Sequence, residues 1–218
     1  MQERNSLSTF NTRHALITLL LVVLFLVIDQ TIKVEVKTTM LLGQTHEITS
    51  WFKINFVENM GMAYGMTFIN KIVLSLFRIV AICLITYYVC KILCHTHRLR
   101  YLVCWALVLA GATGNIIDSM FYGMIFSPST YFSVSEFVPF GQGYGHFLQG
   151  KVVDMFYFPL FHTTLPEWLP FVGGEPYTFF SPVFNFADAC ITTGIASLFI
   201  FCRKDLDDFS FKKNIPEE

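Results

Sequence analysis

Residues 15–28 read ALITLLLVVLFLVI, an apolar run that continues past Asp29 to Lys33. A helix needs about 20 mostly apolar residues to cross the hydrocarbon core of a bilayer. The run fits this length, and three later stretches of the chain fit it as well. The sequence therefore predicts an all-α membrane bundle of four transmembrane helices, at about 15–33, 72–93, 101–120 and 183–202.

The composition supports a single polytopic membrane domain over residues 1–218. Hydrophobic residues make up 54% of the chain and charged residues 14%, against roughly 25% charged residues in a soluble domain. Such hydrophobicity excludes a disordered chain, and a net charge of −1 argues against a nucleic-acid partner. The first helix could be a cleaved signal peptide, but a small-residue cleavage site is missing, which favours an uncleaved helix.

The basic residues predict the orientation of the chain in the membrane. Nine of them fall in the two tails and the short second connection: Arg4, Arg13, Lys91, Arg98, Arg100, Arg203, Lys204, Lys212 and Lys213. Five fall in the two long connections or at their edges: Lys33, Lys37, Lys53, Lys71 and Lys151. Because cytoplasmic loops carry an excess of Lys and Arg, both termini are expected in the cytoplasm and the long loops outside.

The two outer loops differ in character. The segment 34–58 alternates apolar and polar residues in Val34–Lys37 and again in Trp51–Phe56, which predicts short strands. The loop 121–178 is rich in aromatic residues, and four prolines between 156 and 180 argue against a spanning helix there. We expect this loop to lie against the outer face of the membrane.

The six cysteines fall in the predicted helices or at their cytoplasmic ends, so they predict no disulfide framework. Cys90, Cys94, His95 and His97 could be read as a metal cluster. Their spacing is not a standard zinc spacing. A helix end followed by a basic turn is the favoured interpretation, and we expect no metal.

Two pairs of polar residues stand at helix spacing near the outer ends of predicted helices. Asp29 and Lys33 are four residues apart, which places them on one helix face. A structural ion pair and a role in catalysis both fit them. Asn115 and Asp118 are three residues apart and follow the small-residue run 111–114. Helix packing with a polar cap and a functional site both remain open for this pair.

Two further aspartates, Asp154 and Asp188, lie in apolar surroundings. An ionised carboxylate and a protonated carboxyl could together activate water and protonate the product of its attack on an amide. Sequence spacing does not show that the two residues meet, so two unrelated structural aspartates also fit. Arg78, alone in the second helix, receives no function.

Five motifs follow one another along the chain. They are Asp29-x-x-x-Lys33, Asn59-x-Gly61-x-Ala63-x-Gly65, Gly111-x-x-Gly114-Asn115-x-x-Asp118, Val153-Asp154-Met155 and Phe184-Asn185-x-Ala187-Asp188. This order resembles lipoprotein signal peptidase, the bacterial type II signal peptidase family. The resemblance spans Asp29 to Asp188.

The resemblance implies an aspartyl endopeptidase of the bacterial cytoplasmic (inner) membrane, without a metal or cofactor and with its active site near the outer face. Its substrates would be prolipoproteins whose lipobox Cys carries diacylglycerol, cut just before that Cys. The implied catalytic pair is Asp154 and Asp188. The implied supporting or substrate-binding residues are Asp29, Lys33, Asn59, Gly61, Asn115, Asp118 and Asn185. The resemblance also implies a small extracytoplasmic β-cradle at 34–56, contact with membrane lipids, and inhibition by globomycin-type cyclic peptides.

The chain departs from the family pattern in two places. Ser119 stands where the family usually has Arg, so another cation, such as Lys151 or Arg78, is expected to substitute. The stretches 121–151 and 156–182 are longer than in compact members. Two other functions fit the intramembrane aspartates: a proton-coupled transporter or channel, and a membrane scaffold without chemistry.

Overall fold

The fold is known from a computed structural model that describes residues 11–60, 71–95 and 98–210. The larger helices are α1 (Thr12–Thr39), α2 (Lys71–His95), α3 (Leu99–Ile117), α4 (Phe186–Phe201) and α5 (Arg203–Ser210). A π-helical turn, Asp118–Tyr122, and a single helical turn, Gly123–Ile125, follow α3. The strands are β1 (Thr45–Thr49), β2 (Phe52–Asn59), β3 (Val152–Tyr157), β4 (Phe161–Thr164) and β5 (Pro176–Phe179).

Three of the four predicted membrane helices are long and apolar enough to cross a bilayer: Thr12–Thr39, Lys71–Cys94 and Leu99–Ile125. The fourth, α4, is apolar but has 16 residues, short of the about 20 that a perpendicular span needs. Its predicted start at 183 is wrong because Phe184 is engaged in a β-bridge with Phe156. The helix begins only after that bridge.

The strand predicted at Val34–Lys37 is wrong, because α1 continues through it to Thr39. The hydroxyls of Thr38 and Thr39 donate to the carbonyl oxygens of Val34 and Glu35, at 2.8 and 2.7 Å. Helical continuation also keeps Lys33 and Lys37 on one face, where both side chains are buried with charged partners. Tertiary contacts thus override a four-residue alternation, which is too short to specify a strand.

The long loop 121–178 contains three strands that the sequence did not predict. β1, β2 and β3 form an antiparallel sheet in that order, and β4 and β5 form a separate antiparallel hairpin. In the first sheet Val57 lies opposite Asp154, and Asn59 lies opposite Val152. This register brings the end of β2 beside the candidate catalytic residue on β3.

The described chain divides into two compact units. Among the described residues, the helical unit contains 11–27, 78–95, 98–114 and 187–210, and the sheet unit contains 28–60, 71–77 and 115–186. The helical unit has a core of apolar residues from α2, α3 and α4, among them Ile92, Leu102 and Leu198. In it α3 and α4 approach each other closely at Gly111 of α3 and Gly194 of α4; a Cβ on Gly111 would lie 2.3 Å from the carbonyl oxygen of Ala187.

The sheet unit has its own apolar core. It contains Phe56 from β2, Val153 and Met155 from β3, and Tyr122 and Phe126 from the segment after α3. Alternate residues of β3 therefore do not divide into a buried and an exposed face, because Val152, Val153, Asp154 and Met155 are all buried. A strand covered on both faces can hold a carboxylate away from bulk water.

Gly150 allows the chain before β3 to pack against the π-helical turn. A Cβ at this position would lie 2.1 Å from the carbonyl oxygen of Asp118, whereas a Cβ on Gly145 would meet nothing closer than 3.7 Å. We expect Gly150→Ala to destabilise the protein by about 1–3 kcal/mol, because backbone must move. Thermal unfolding in detergent should show a lowered Tm for Gly150→Ala and little change for the matched Gly145→Ala. An equal fall in Tm for the two variants would contradict the close packing of Gly150 against the π-helical turn.

Candidate active site

The buried ammonium group of Lys33 is the centre of one ionic cluster in the sheet unit, called here the ammonium cluster. Lys33 Nζ lies 2.9 Å from an Asp29 carboxylate oxygen and 2.8 Å from one of Asp118. It also donates to Asn115 Oδ1 at 2.9 Å. A lysine ammonium has three protons, so these three acceptors satisfy it. The ion pair predicted from the spacing of Asp29 and Lys33 is present, and Asp118 joins it.

Two residues that the sequence did not single out complete this cluster. Gln30 Nε2 donates to Asp118 Oδ1 at 2.9 Å and to Asp29 Oδ2 at 3.1 Å. Tyr122 donates its hydroxyl proton to Gln30 Oε1 at 3.1 Å. The π-helical turn buries both Asp118 and Tyr122. Such turns occur often at functional sites, but no local sequence pattern predicts one here.

Asp154 accepts hydrogen bonds from two amide side chains. Asn59 Nδ2 donates to its Oδ2 at 3.0 Å, and Asn185 Nδ2 donates to its Oδ1 at 2.7 Å. Asp154 is 3% exposed. Both carboxylate oxygens therefore accept hydrogen bonds from N–H donors. This pocket can hold a carboxylate in a fixed orientation.

Asn185 connects Asp154 with the ammonium cluster. Its Nδ2 also donates to Asn115 Oδ1 at 3.1 Å, the same oxygen that accepts from Lys33. Asn115 and Asn185 are both buried. A continuous chain of polar contacts thus runs from Lys33 through Asn115 and Asn185 to Asp154, and it fixes which way each amide points.

Asp188, the other residue of the predicted catalytic pair, lies in the first turn of α4 and belongs to the helical unit. Its side chain is half-buried. A negative charge in the first turn of a helix is stabilised by the helix dipole. It follows Asn185 by three residues, and its meeting with Asp154 stays a prediction. Gly61, together with Ala63 and Gly65 of the same motif, lies outside the described residues.

Ser119, the departure from the family pattern, has a lysine beside it. Lys71 Nζ donates to Ser119 Oγ at 3.1 Å, and Ser119 in turn donates to the carbonyl oxygen of Asn115 at 3.0 Å. Lys71 is buried and is the first residue of α2. Lys151, one expected substitute, is paired with Glu58 instead, and the expectation for Arg78 stays a prediction.

Glu58 is the centre of a second ionic cluster in the sheet unit. One of its oxygens lies 2.5 Å from Lys37 Nζ and the other 2.8 Å from Lys151 Nζ. Ser129 donates its hydroxyl proton to Glu58 at 2.8 Å. Burial acts to raise the pKa of Glu58, but the Lys37 and Lys151 ammonium groups outweigh it and hold that pKa below its ordinary value. This cluster ties the long loop to α1 and β2.

The lowered pKa of Glu58 predicts how stability depends on pH. In the unfolded chain Glu58 takes up a proton near pH 4.5, whereas the folded protein resists this protonation. The contribution of Glu58 is therefore complete above about pH 4.5 and is lost as the pH falls below it. We expect the Tm of the wild type to fall between pH 6 and pH 3 more steeply than that of Glu58→Gln. If Tm fell equally with pH in the wild type and in Glu58→Gln, the ionic cluster around Glu58 would not contribute to stability as expected.

Comparisons with known proteins give a consistent result. The model of the family described as signal peptidase (SPase) II matches residues 21–203. A lipoprotein signal peptidase of Porphyromonas gingivalis (strain ATCC 33277) is 50% identical over 199 residues, covering 90% of this chain and 88% of the relative. A lipoprotein signal peptidase of Amoebophilus asiaticus is 36% identical, covering 84% and 76%.

Solved structures show a similar fold. A bacterial membrane enzyme solved by the in meso method at 2.3 Å resolution aligns with a TM-score of 0.57 and 21% identity, covering 91% of this chain and 93% of the other. A second, at 1.9 Å, aligns with a TM-score of 0.57 and 24% identity, covering 86% and 93%. The fold of this chain is thus similar to that of solved bacterial membrane enzymes.

Proposed function

The chain belongs to the signal peptidase II family, and we propose that it removes signal peptides from bacterial prolipoproteins as an aspartyl endopeptidase. Family membership makes it a multi-pass membrane protease of lipoprotein processing. The finer proposal concerns the mechanism, in which Asp154 and Asp188 share one water molecule. The observation that carries it is the burial of Asp154 between two amide donors.

Each carboxyl has a defined task in this mechanism. One, as carboxylate, takes a proton from water while the water oxygen attacks the carbonyl carbon of the scissile peptide bond. The other, as carboxylic acid, gives its proton to the tetrahedral intermediate, and the bond to the leaving amine then breaks. The carboxylate must face the water in one orientation, and the amides of Asn59 and Asn185 supply that orientation for Asp154.

The ammonium cluster acts as a positioning element for this pair. Lys33 holds Asn115 Oδ1, which in turn accepts from Asn185. The other N–H of the Asn185 side chain can then donate to Asp154. Lys33, Asp29 and Asp118 therefore act on the reaction through Asn115 and Asn185 rather than by touching the peptide.

The proposed substrate is a prolipoprotein with a diacylglyceryl group on its lipobox Cys, cut just before that Cys. Each buried CH₂ of such a lipid is worth about 0.8 kcal/mol, so the acyl chains supply affinity while the dyad supplies chemistry. We propose the inner membrane as the location, with both termini in the cytoplasm and the active site near the outer face. Globomycin-type cyclic peptides should compete with this substrate.

The proposal is tested with the purified full-length protein in lipid vesicles. A prolipoprotein that carries the diacylglyceryl group should be cut at the bond before the lipidated Cys, as mass spectrometry of both products would show. A precursor with that Cys replaced by Ser, and hence without lipid, should remain uncut. Cleavage of both precursors, or of neither, would contradict the proposal. Proton-gradient-dependent flux without cleavage would favour a transporter instead.

A further inference from the structure

The hairpin formed by β4 and β5 has an ordered, apolar tip at residues 165–175, called here the hairpin tip. Phe161 pairs with Phe179 and Thr164 with Pro176 in the two strands. Within the tip, the backbone N–H of Leu165 donates to the carbonyl of Glu175 at 2.9 Å, and that of Gly173 donates to Leu169 at 3.0 Å. These bonds define the backbone conformation of the tip.

The hairpin tip exposes large apolar side chains. Trp168 is 78% exposed and Phe171 is fully exposed. Phe171 also has a φ of 71°, a left-handed conformation that is rare for a bulky residue. The fold thus holds an aromatic ring outward in an unfavourable backbone conformation. If the ring stays in water, its exposure contributes no favourable free energy, because apolar surface is stabilised only when it is removed from water.

The base of the hairpin is fixed close to the start of an apolar helix. Phe158 stacks on Phe52 at 4.8 Å and on Phe184 at 5.6 Å between ring centroids. Two residues after Phe184, α4 begins. Most exposed residues of α4 are apolar, among them Phe199 and Ile200, as expected for a helix in lipid; the exposed polar ones are Thr192 and Thr193. Chain connectivity therefore keeps the hairpin base next to the first residue of this apolar helix.

The composition of the hairpin indicates which partner the tip fits. Residues 158–184 contain two acidic residues, Glu167 and Glu175, and no Lys or Arg. A basic patch for an acidic partner is therefore missing from this segment. Trp, Tyr and Phe side chains are enriched where a membrane protein meets the lipid headgroups. A four-residue strand extends about 13 Å, which is enough to span a headgroup layer from its base.

We propose that the hairpin tip inserts the rings of Trp168 and Phe171 into the lipid–water interface of the membrane that α4 enters. The hairpin is then a second attachment of the sheet unit to the bilayer, besides its helices. The lipid surface is favoured over a protein partner because the hairpin base immediately precedes an apolar helix of a multi-pass protein and the hairpin carries no Lys or Arg. This inference does not depend on the identity of the catalytic residues.

The test uses the full-length protein in vesicles of phosphatidylcholine, with either ordinary or brominated acyl chains, because bromine quenches tryptophan on contact. The fluorescence emission of Trp168 is obtained by subtracting the spectrum of Trp168→Phe from that of the wild type. This substitution keeps an aromatic ring at the exposed position. Trp51→Phe gives the matched difference for Trp51, which stacks on Phe158 at the hairpin base. A second variant, Phe171→Ser, leaves all three tryptophans in place.

We expect the Trp168 difference spectrum to be blue-shifted and reduced by about half in lipid brominated near the headgroups, as for an interfacial tryptophan. Phe171→Ser should weaken this quenching. Trp168 emission that brominated lipid leaves unchanged and that aqueous iodide quenches would overturn the proposal. Quenching that needs added lipidated precursor, or that changes with protein density in the vesicles, would also overturn it, in favour of the substrate or a second copy.

Discussion

Replacing Asp154 by asparagine is expected to reduce the rate of prolipoprotein cleavage by about 10²–10⁴-fold, the usual contribution of one general acid or base. The change is nearly isosteric and removes the ionisable group. One Asn oxygen can still accept from Asn59 or Asn185, but the new NH₂ group faces the other amide donor. We therefore expect a modest loss of stability beside the large loss of activity. Cleavage of the lipidated precursor under single-turnover conditions measures the effect.

The matched control for Asp154→Asn is Glu47→Gln. Glu47 is an exposed carboxylate on β1 of the same sheet and forms a surface ion pair with the partly exposed Lys53. Its removal should leave the cleavage rate unchanged. If Asp154→Asn cut the precursor at the wild-type rate while folding normally, Asp154 would not be part of the chemistry.

Replacing Lys33 by methionine is expected to destabilise the protein by about 3–5 kcal/mol, because it leaves buried charges without their partner. Asp29 and Asp118 both face the Lys33 ammonium within 3 Å, and all three side chains are buried. Two carboxylates would then share a buried site. Thermal unfolding in detergent should show the largest fall in Tm of any single variant proposed for the sheet unit.

The control for Lys33→Met is Lys53→Met, which breaks the exposed ion pair with Glu47. Surface pairs contribute about 0–1 kcal/mol, so this variant should unfold near the wild-type temperature. Adding Asp29→Asn and Asp118→Asn to Lys33→Met should restore part of the stability, because the uncompensated charges disappear. A Lys33→Met protein as stable as Lys53→Met would contradict the buried ionic cluster.

Local spacing predicted the contacts that one helix makes with itself. Asp29 and Lys33 are four residues apart on α1, and the expected pair forms. Three of the apolar stretches became helices of spanning length for the same reason, since hydrophobicity and length are local properties. Local patterns failed at Val34–Lys37, where buried partners of Lys33 and Lys37 extend α1 beyond its apolar run.

The contacts around Asp154 could not be predicted from spacing. Asn59 reaches it only through the register of β2 against β3, across 95 positions of sequence. Gln30 and Lys71 were missed because isolated polar residues in or beside apolar helices carry no motif of their own. The resemblance named Asn59 and Asn185 as supporting residues, and the structure shows what they contact.

The most direct test of the central claim is the cleavage rate of a lipidated precursor by the wild type, Asp154→Asn, Asp188→Asn and the doubly substituted protein. If the two aspartates share one water molecule, either single change disables the pair. The double variant should then be no slower than the slower single variant, as for residues that act as a unit. Rate reductions that multiply in the double variant, or wild-type cleavage by either single variant, would contradict a shared dyad.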